Sequence, residues 1–122
     1  MTTVRFFVSG SEIWGFEVTG HTDYAEEGSD IVCSAVSALT QTAVLGLTEV
    51  LKLPAAFEVK KARIYCMLDS DLGENAKREA QILLETMRLG LRSIADTYGT
   101  HLKLTEKEVS HHDAHRSSAL RT

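Results

Sequence analysis

Residues 3–8 alternate, with Val4, Phe6 and Val8 on one face and Arg5 and Phe7 on the other. That is the period of a half-buried strand. Ser9-Gly10-Ser11-Glu12 reads as a turn, and residues 13–19 as a second strand, with Trp14, Phe16 and Val18 opposite Glu17 and Thr19. The two make an N-terminal hairpin. Residues 20–30, GHTDYAEEGSD, carry neither the strand nor the helix period. They read as a loop, a long one for a domain of this size, and long loops often carry function.

From Ile31 to Leu51 the period changes. Val32, Val36, Leu39, Ala43, Leu47 and Val50 recur at steps of three or four, which predicts a helix. Ser29 or Asp30 is the expected N-cap, and Pro54 the expected stop. Residues 57–60 and 62–68 read as a second hairpin. Ile64, Cys66 and Leu68 share one face, and Arg63, Tyr65 and Met67 the other. Asp69, Ser70 and Asp71 offer caps for a second helix over residues 72–98, with a stripe of Ala76, Ala80, Leu83, Met87, Gly90 or Leu91, and Ile94. Gly99 is the expected C-cap. Residues 101–105 form a short last strand, and from Lys107 the chain is polar and expected to fray.

The order is therefore ββαββαβ. Two helices with one apolar stripe each, and strands that alternate, predict an α+β fold with both helices on one face of a mostly antiparallel sheet. The expected organisation is one domain over residues 1–106 and a polar tail over 107–122. The other sheet face would carry Phe7, Tyr65 and Met67 among charged residues, a patch that reads as ordinary exposed surface or, the preferred expectation, a dimer contact.

Composition narrows the function without naming it. The 122 residues are 43% hydrophobic and 25% charged, with a formal net charge of -4. This is the profile of a globular chain rather than of a nucleic-acid binder with a concentrated basic face. No leader pattern opens the chain and no run of about 18 apolar residues is found, so a cytoplasmic protein without membrane contact is expected. Its two cysteines, Cys33 and Cys66, are then expected to be thiols.

Cys33 falls near the start of the first helix. If Asp30 is the N-cap, the thiol sits at the third helical position, where unpaired backbone N–H groups and the helix dipole favour a thiolate. Ser37, four residues on, shares its face. His21 ends the second strand, and closure of the loop can bring its imidazole to the sulfur. A Cys–His pair is the arrangement needed for attack on an acyl carbon, and Asp30 could orient His21 or cap the helix. Local spacing leaves other readings open, because a cysteine near a helix start is often just a small buried residue. Zinc binding by Cys33 and His21 lacks a second ligand pair.

Cys66 alternates inward and reads as core. His111, His112, Asp113 and His115 have metal-ligand chemistry but lie in the tail. His101 marks a strand edge, and Glu26 and Glu27 read as solvated loop charges.

Gly20-His21, followed after a loop by Gly28-Ser29-Asp30-Ile31-Val32-Cys33-Ser34-Ala35-Val36-Ser37, closely resembles the Prp family, the ribosomal-processing cysteine proteases of bacteria. The family pattern joins a Gly-His pair, a loop, G-x-D-[IL]-V-C and a serine four residues after the cysteine. Thr22 and Ser34 stand where alanine is common, and both are small. The resemblance implies Cys33 as nucleophile and His21 as general base, with Asp30 and Ser37 at other recurrent positions. It implies a homodimer and a loop that shifts when substrate enters; no cofactor is expected, and Gly20 and Gly28 are the expected hinges of loop 22–29. The implied substrate is the short N-terminal extension of a large-subunit ribosomal protein, cut after a hydrophobic stretch ending in paired phenylalanines. Two other readings remain from the residues: a non-catalytic dimeric, ribosome-associated binding module with a structural Cys33, and a thiol-redox or acyl-carrying enzyme with Cys66 as resolving thiol.

Overall fold

The alternating segments pair as their periods require. In the computed structural model, which describes residues 1–20 and 29–110, β1 (Thr2–Ser9) and β2 (Glu12–Thr19) form an antiparallel hairpin. β3 (Ala55–Lys60) and β4 (Arg63–Leu68) form another. β2 joins the hairpins by pairing with β4, and β5 (Leu102–Glu108) adds parallel to β1, giving the order β3-β4-β2-β1-β5. Helices α1 (Ser29–Leu45) and α2 (Glu74–Thr97) complete the ββαββαβ order. α1 lies over β4, and α2 over β2 and β5. The fold is thus α+β, with a mostly antiparallel sheet.

The inward-facing positions form rows across the strands. Val4, Val18, Ile64 and Val59 lie in register, as do Phe6, Phe16, Cys66 and Phe57. On β1, β2 and β4 these residues are buried under the helices, together with Val32, Val36 and Leu47 from one helical segment and Ala80, Leu84 and Leu91 from the other. Asp30–Val50 has a mean hydropathy of 1.6 and is long and apolar enough to cross a bilayer by composition. The expectation that nothing reaches that length held only for unbroken apolar runs, because frequent Val and Leu keep the average high across the Ser, Thr and Gln that interrupt them. Val32, Val36, Ala43, Val44 and Leu47 spend that hydropathy on the sheet.

Several boundaries differ from expectation, each for a local reason. α1 begins at Ser29, so Asp30 is an acidic first-turn residue rather than the cap. The helix continues as a π-helical segment, Gly46–Val50, closed by Leu51 N–H donating to the Gly46 carbonyl at 2.9 Å. Lys52, with φ 55°, turns the chain in the left-handed conformation before Pro54 is reached. α2 starts after Gly73 and is closed at Tyr98, whose N–H bonds the Ile94 carbonyl, so Gly99 is not its cap. Asp69 accepts from its near neighbour Asp71 N–H instead of capping the helix. β5 extends to Glu108, and Val109 N–H donates to the Val8 carbonyl at 2.7 Å. Residues 107–109 therefore belong to the sheet edge and not to the tail. The rest of the tail, from His111, lies outside the described residues.

The helix-free face seals itself. Gly15 stands between Phe7 and Met67 in register, and a Cβ there would strike the Cys66 carbonyl. The missing side chain lets Phe7 reach across β2 to Tyr65, ring centroids 6.0 Å apart in an edge-on arrangement. Arg63 caps the Tyr65 ring at 4.7 Å and binds Glu17 at 2.6 Å and Glu58 at 3.1 Å. Phe7 and Met67 are each only 7% exposed. The patch expected to be a dimer contact is covered largely by its own neighbours.

Candidate active site

Cys33 is half-buried and Cys66 fully buried, and neither is in a disulfide. The helix around Cys33 explains its aspect. Leu39 packs toward α2 against Gly90, and Val36 is wholly buried against the sheet. At about 100° per residue, Val36 lies midway between Leu39 and Cys33 around the helix. Cys33 and Ser37 therefore occupy the flank of α1 turned away from α2, toward the β3 side of the sheet.

The chain direction places them along the strands. Asp69 N–H donates to the Pro54 carbonyl at 3.0 Å, so the end of the first helical segment lies where β3 begins and β4 ends. Its start, with Cys33, lies at the opposite end, toward Val18, Ile64 and Val59. Ser37 is one turn farther along and is half-buried. Asp30 is exposed, and its charge at the start of α1 complements the helix dipole.

One expectation about Cys33 needs correction. With α1 starting at Ser29, Cys33 is the fifth helical residue and not the third. Its N–H lies past the four that lack an intrahelical acceptor. The amides at the very start of the helix belong to earlier residues.

Gly20 adopts φ +86°, and a Cβ there would strike the Met1 carbonyl. This close approach requires glycine immediately before His21. His21, Gly28, Glu26 and Glu27 lie outside the described residues, as do His111, His112, Asp113 and His115. Among the described residues, no group of three or more potential metal ligands converges. His101 serves through its backbone, accepting from Thr2 N–H at 2.9 Å. Cys66 is 0% exposed in the central row of the sheet, the core role its alternation implied.

Two features were not anticipated. An apolar groove of about 530 Å³ runs between the helices, lined by Ala35, Ala38, Thr42, Leu83 and Thr86 among others. It opens on the side of α1 away from Cys33. On the Cys33 side, the inward rows of the sheet end in Phe57 and Val59, which are 55% and 45% exposed. The sequence marked residues 57–60 as a strand; their register with Cys66 and Ile64 sets the face, and the helix layer stops short of them.

The model of the cysteine protease Prp family matches residues 1–103. The ribosomal processing cysteine protease Prp of Bacillus subtilis is 30% identical over 95 residues, covering 76% of this chain and 85% of that protein. Its Staphylococcus aureus counterpart is 31% identical over 91 residues, covering 72% and 81% respectively. The crystal structure of S. aureus Prp in complex with a substrate peptide superposes with a TM-score of 0.75 at 23% identity, over 88% of this chain and 100% of that one. The same protease with a covalently linked product peptide gives 0.71 at 24% identity, with the same coverage. Together with the Gly20-to-Ser37 motif, these matches establish that the chain belongs to the Prp family of cysteine proteases.

Proposed function

We propose that the protein is a cysteine endopeptidase in which Cys33 is the nucleophile and His21 the general base. The observation that carries this reading is the aspect of Cys33: a thiol on the partly open flank of α1, within the family motif, following Gly20-His21 in the chain. In the reaction, His21 takes the Cys33 proton and the sulfur attacks the scissile carbonyl carbon. Collapse of the tetrahedral adduct breaks the C–N bond, and His21 gives its proton to the leaving amine. Water then adds to the thioester, His21 again acting as base. The acid product leaves and the thiol regains its proton. In this reading Ser37, on the same flank, donates its hydroxyl hydrogen to the carbonyl oxygen, and Asp30 orients the imidazole or holds the helix start. Gly20 and Gly28 bound the loop that admits the peptide.

The proposed substrate is the N-terminal extension of a large-subunit ribosomal protein, cut after a hydrophobic stretch ending in phenylalanines. The names of the relatives support the ribosomal assignment. We place the protein in the cytoplasm as a homodimer, without cofactor, membrane or direct nucleic-acid contact. The test is incubation of the purified protein with an extended ribosomal-protein substrate, read by mass spectrometry. Removal of the extension by the protein, and its loss in Cys33→Ala and His21→Ala, is the expected result. Undiminished cleavage by Cys33→Ala would sink the assignment, and an inert, unreactive Cys33 would favour a binding module.

A further inference from the structure

The two edges of the sheet are built differently. β5 exposes Lys103, Glu106, Lys107 and Glu108, charges of the kind that keep an edge from pairing with another chain. Among the described residues, β3 pairs on one side only, with β4, and two of its exposed side chains are Phe57 and Val59. Both lie on the helix-covered face: Phe57 is in register with Cys66 and Val59 with Ile64, and each of those partners is buried. An unpaired edge with exposed apolar side chains is a liability unless something occupies it.

The roll of α1 says what. Leu39 against Gly90 turns one side of the helix toward α2, so Cys33 and Ser37 face the β3 side. Cys33 lies toward the Val59 end, with Ser37 one turn farther toward Phe57. An unpaired strand edge offers backbone groups only to an extended chain. Phe57 and Val59 offer that chain an apolar surface, and Cys33 is on the flank of α1 turned toward that edge.

We propose that β3 is the substrate-docking edge, and that Phe57 and Val59 are specificity-determining residues contacting bulky apolar side chains near the scissile bond. The peptide adds to β3 as a further strand, which sets its distance from Cys33, while Phe57 and Val59 select its side chains. This inference rests on the endopeptidase reading and adds to it the place where the substrate lies.

The test compares the unaltered protein with Phe57→Ala and Val59→Ala, singly and together. Both side chains are exposed, so the variants are expected to fold, and circular dichroism checks it. Two peptides are used, one with phenylalanines before the cut and one with alanines there, and iodoacetamide alkylation of Cys33 is measured separately. The double variant is expected to raise KM for the phenylalanine peptide about 10- to 100-fold, the range that pocket contacts command. Its alkylation rate should stay within about twofold and its preference for phenylalanine over alanine should collapse. Unchanged KM and preference, with cleavage intact, would overturn the docking proposal alone. Absence of cleavage by the unaltered protein, with Cys33 still alkylated, would overturn the endopeptidase reading and this proposal with it. Conversion of a dimer to monomer by the double variant, with KM unchanged, would assign the edge to a second copy and also overturn it.

Discussion

Leu39 of α1 lies against Gly90 of α2 so closely that a Cβ added to Gly90 would sit 2.9 Å from a Leu39 methyl carbon. The contact does more than join two helices, because it fixes the roll of α1 and so the direction of Cys33. A reciprocal contact sets Leu83 of α2 against Gly46. Gly90→Val is expected to destabilise the protein by about 1–3 kcal/mol, since the added branch must displace Leu39. Leu39→Ala removes the obstacle, so the double variant should fall short of the summed losses by about 0.5 kcal/mol or more. Urea denaturation of the four proteins measures this. Strict additivity would show that the two residues do not meet in solution.

Gly15 and Gly90 make opposite demands, and their alanine variants should separate them. At Gly90 the obstacle is the flexible end of a leucine, and alanine brings about 1 kcal/mol of helix propensity in return. Gly90→Ala should therefore be close to neutral. At Gly15 the obstacle is the Cys66 carbonyl in the paired strand, and backbone cannot swing aside. Gly15→Ala is expected to lower the thermal midpoint by several degrees, about 1–3 kcal/mol for a forced insertion into a packed region. It should also disturb the Phe7–Tyr65 contact, seen as a change in near-ultraviolet circular dichroism. Equal midpoints for the two variants would count against the close β2–β4 approach.

The strand and helix periods were legible because one face of most elements is predominantly apolar. β1, β2 and β4 alternate, and both helices carry a single stripe, so the element order and the two-layer packing follow from sequence. Helix ends were less legible. Lys52 terminates the first helical segment in a conformation that favours glycine, and no residue type announces it. β5 outlasted its pattern because its final residues are charged and hold the edge through backbone bonds. The motif around Cys33 was visible in the chain, but its distance from the helix start depended on where α1 begins. Residues 57–60 were legible as a strand, yet the exposure of Phe57 and Val59 depends on how far the helix layer reaches. That is a tertiary fact with no local signature.

The two thiols should behave as different chemical groups. Cys33 is half-buried on a helix flank, whereas Cys66 is sealed between strands. In native protein a thiol-reactive probe is expected to label Cys33 and spare Cys66, and to label both after denaturation. Cys66→Ser should cost about 1–3 kcal/mol, because a hydroxyl enters an apolar row, while peptide cleavage per folded molecule remains. Cys33→Ser should leave stability within about 0.5 kcal/mol, as expected away from core features. Native labelling of Cys66 at the same rate as Cys33 would contradict this division and revive a role for Cys66 in thiol exchange.

The Arg63 cluster makes a small, directional contribution to acid stability. Hydrogen bonding to Arg63 is the main cause that holds the Glu58 carboxyl below its ordinary value of 4.5, with the charges of Lys60 and Arg63 adding to it. The Arg63 guanidinium is raised correspondingly, chiefly by its bond to Glu17. For a depressed carboxylate the folded state binds its proton more weakly than the unfolded chain, so its stabilisation is present above 4.5 and is lost as the pH falls through the folded value. The Glu58 side chain is 37% exposed, and solvent screens the pair and keeps the effect modest. Glu58→Gln removes the titrating group. Its thermal midpoint should lie slightly below that of the unaltered protein at pH 7, and the difference should close as the pH drops below 4.5. High salt should shrink the pH 7 difference as well. A gap that persists unchanged at pH 3 would show that Glu58 acts through packing on β3 and not through its charge.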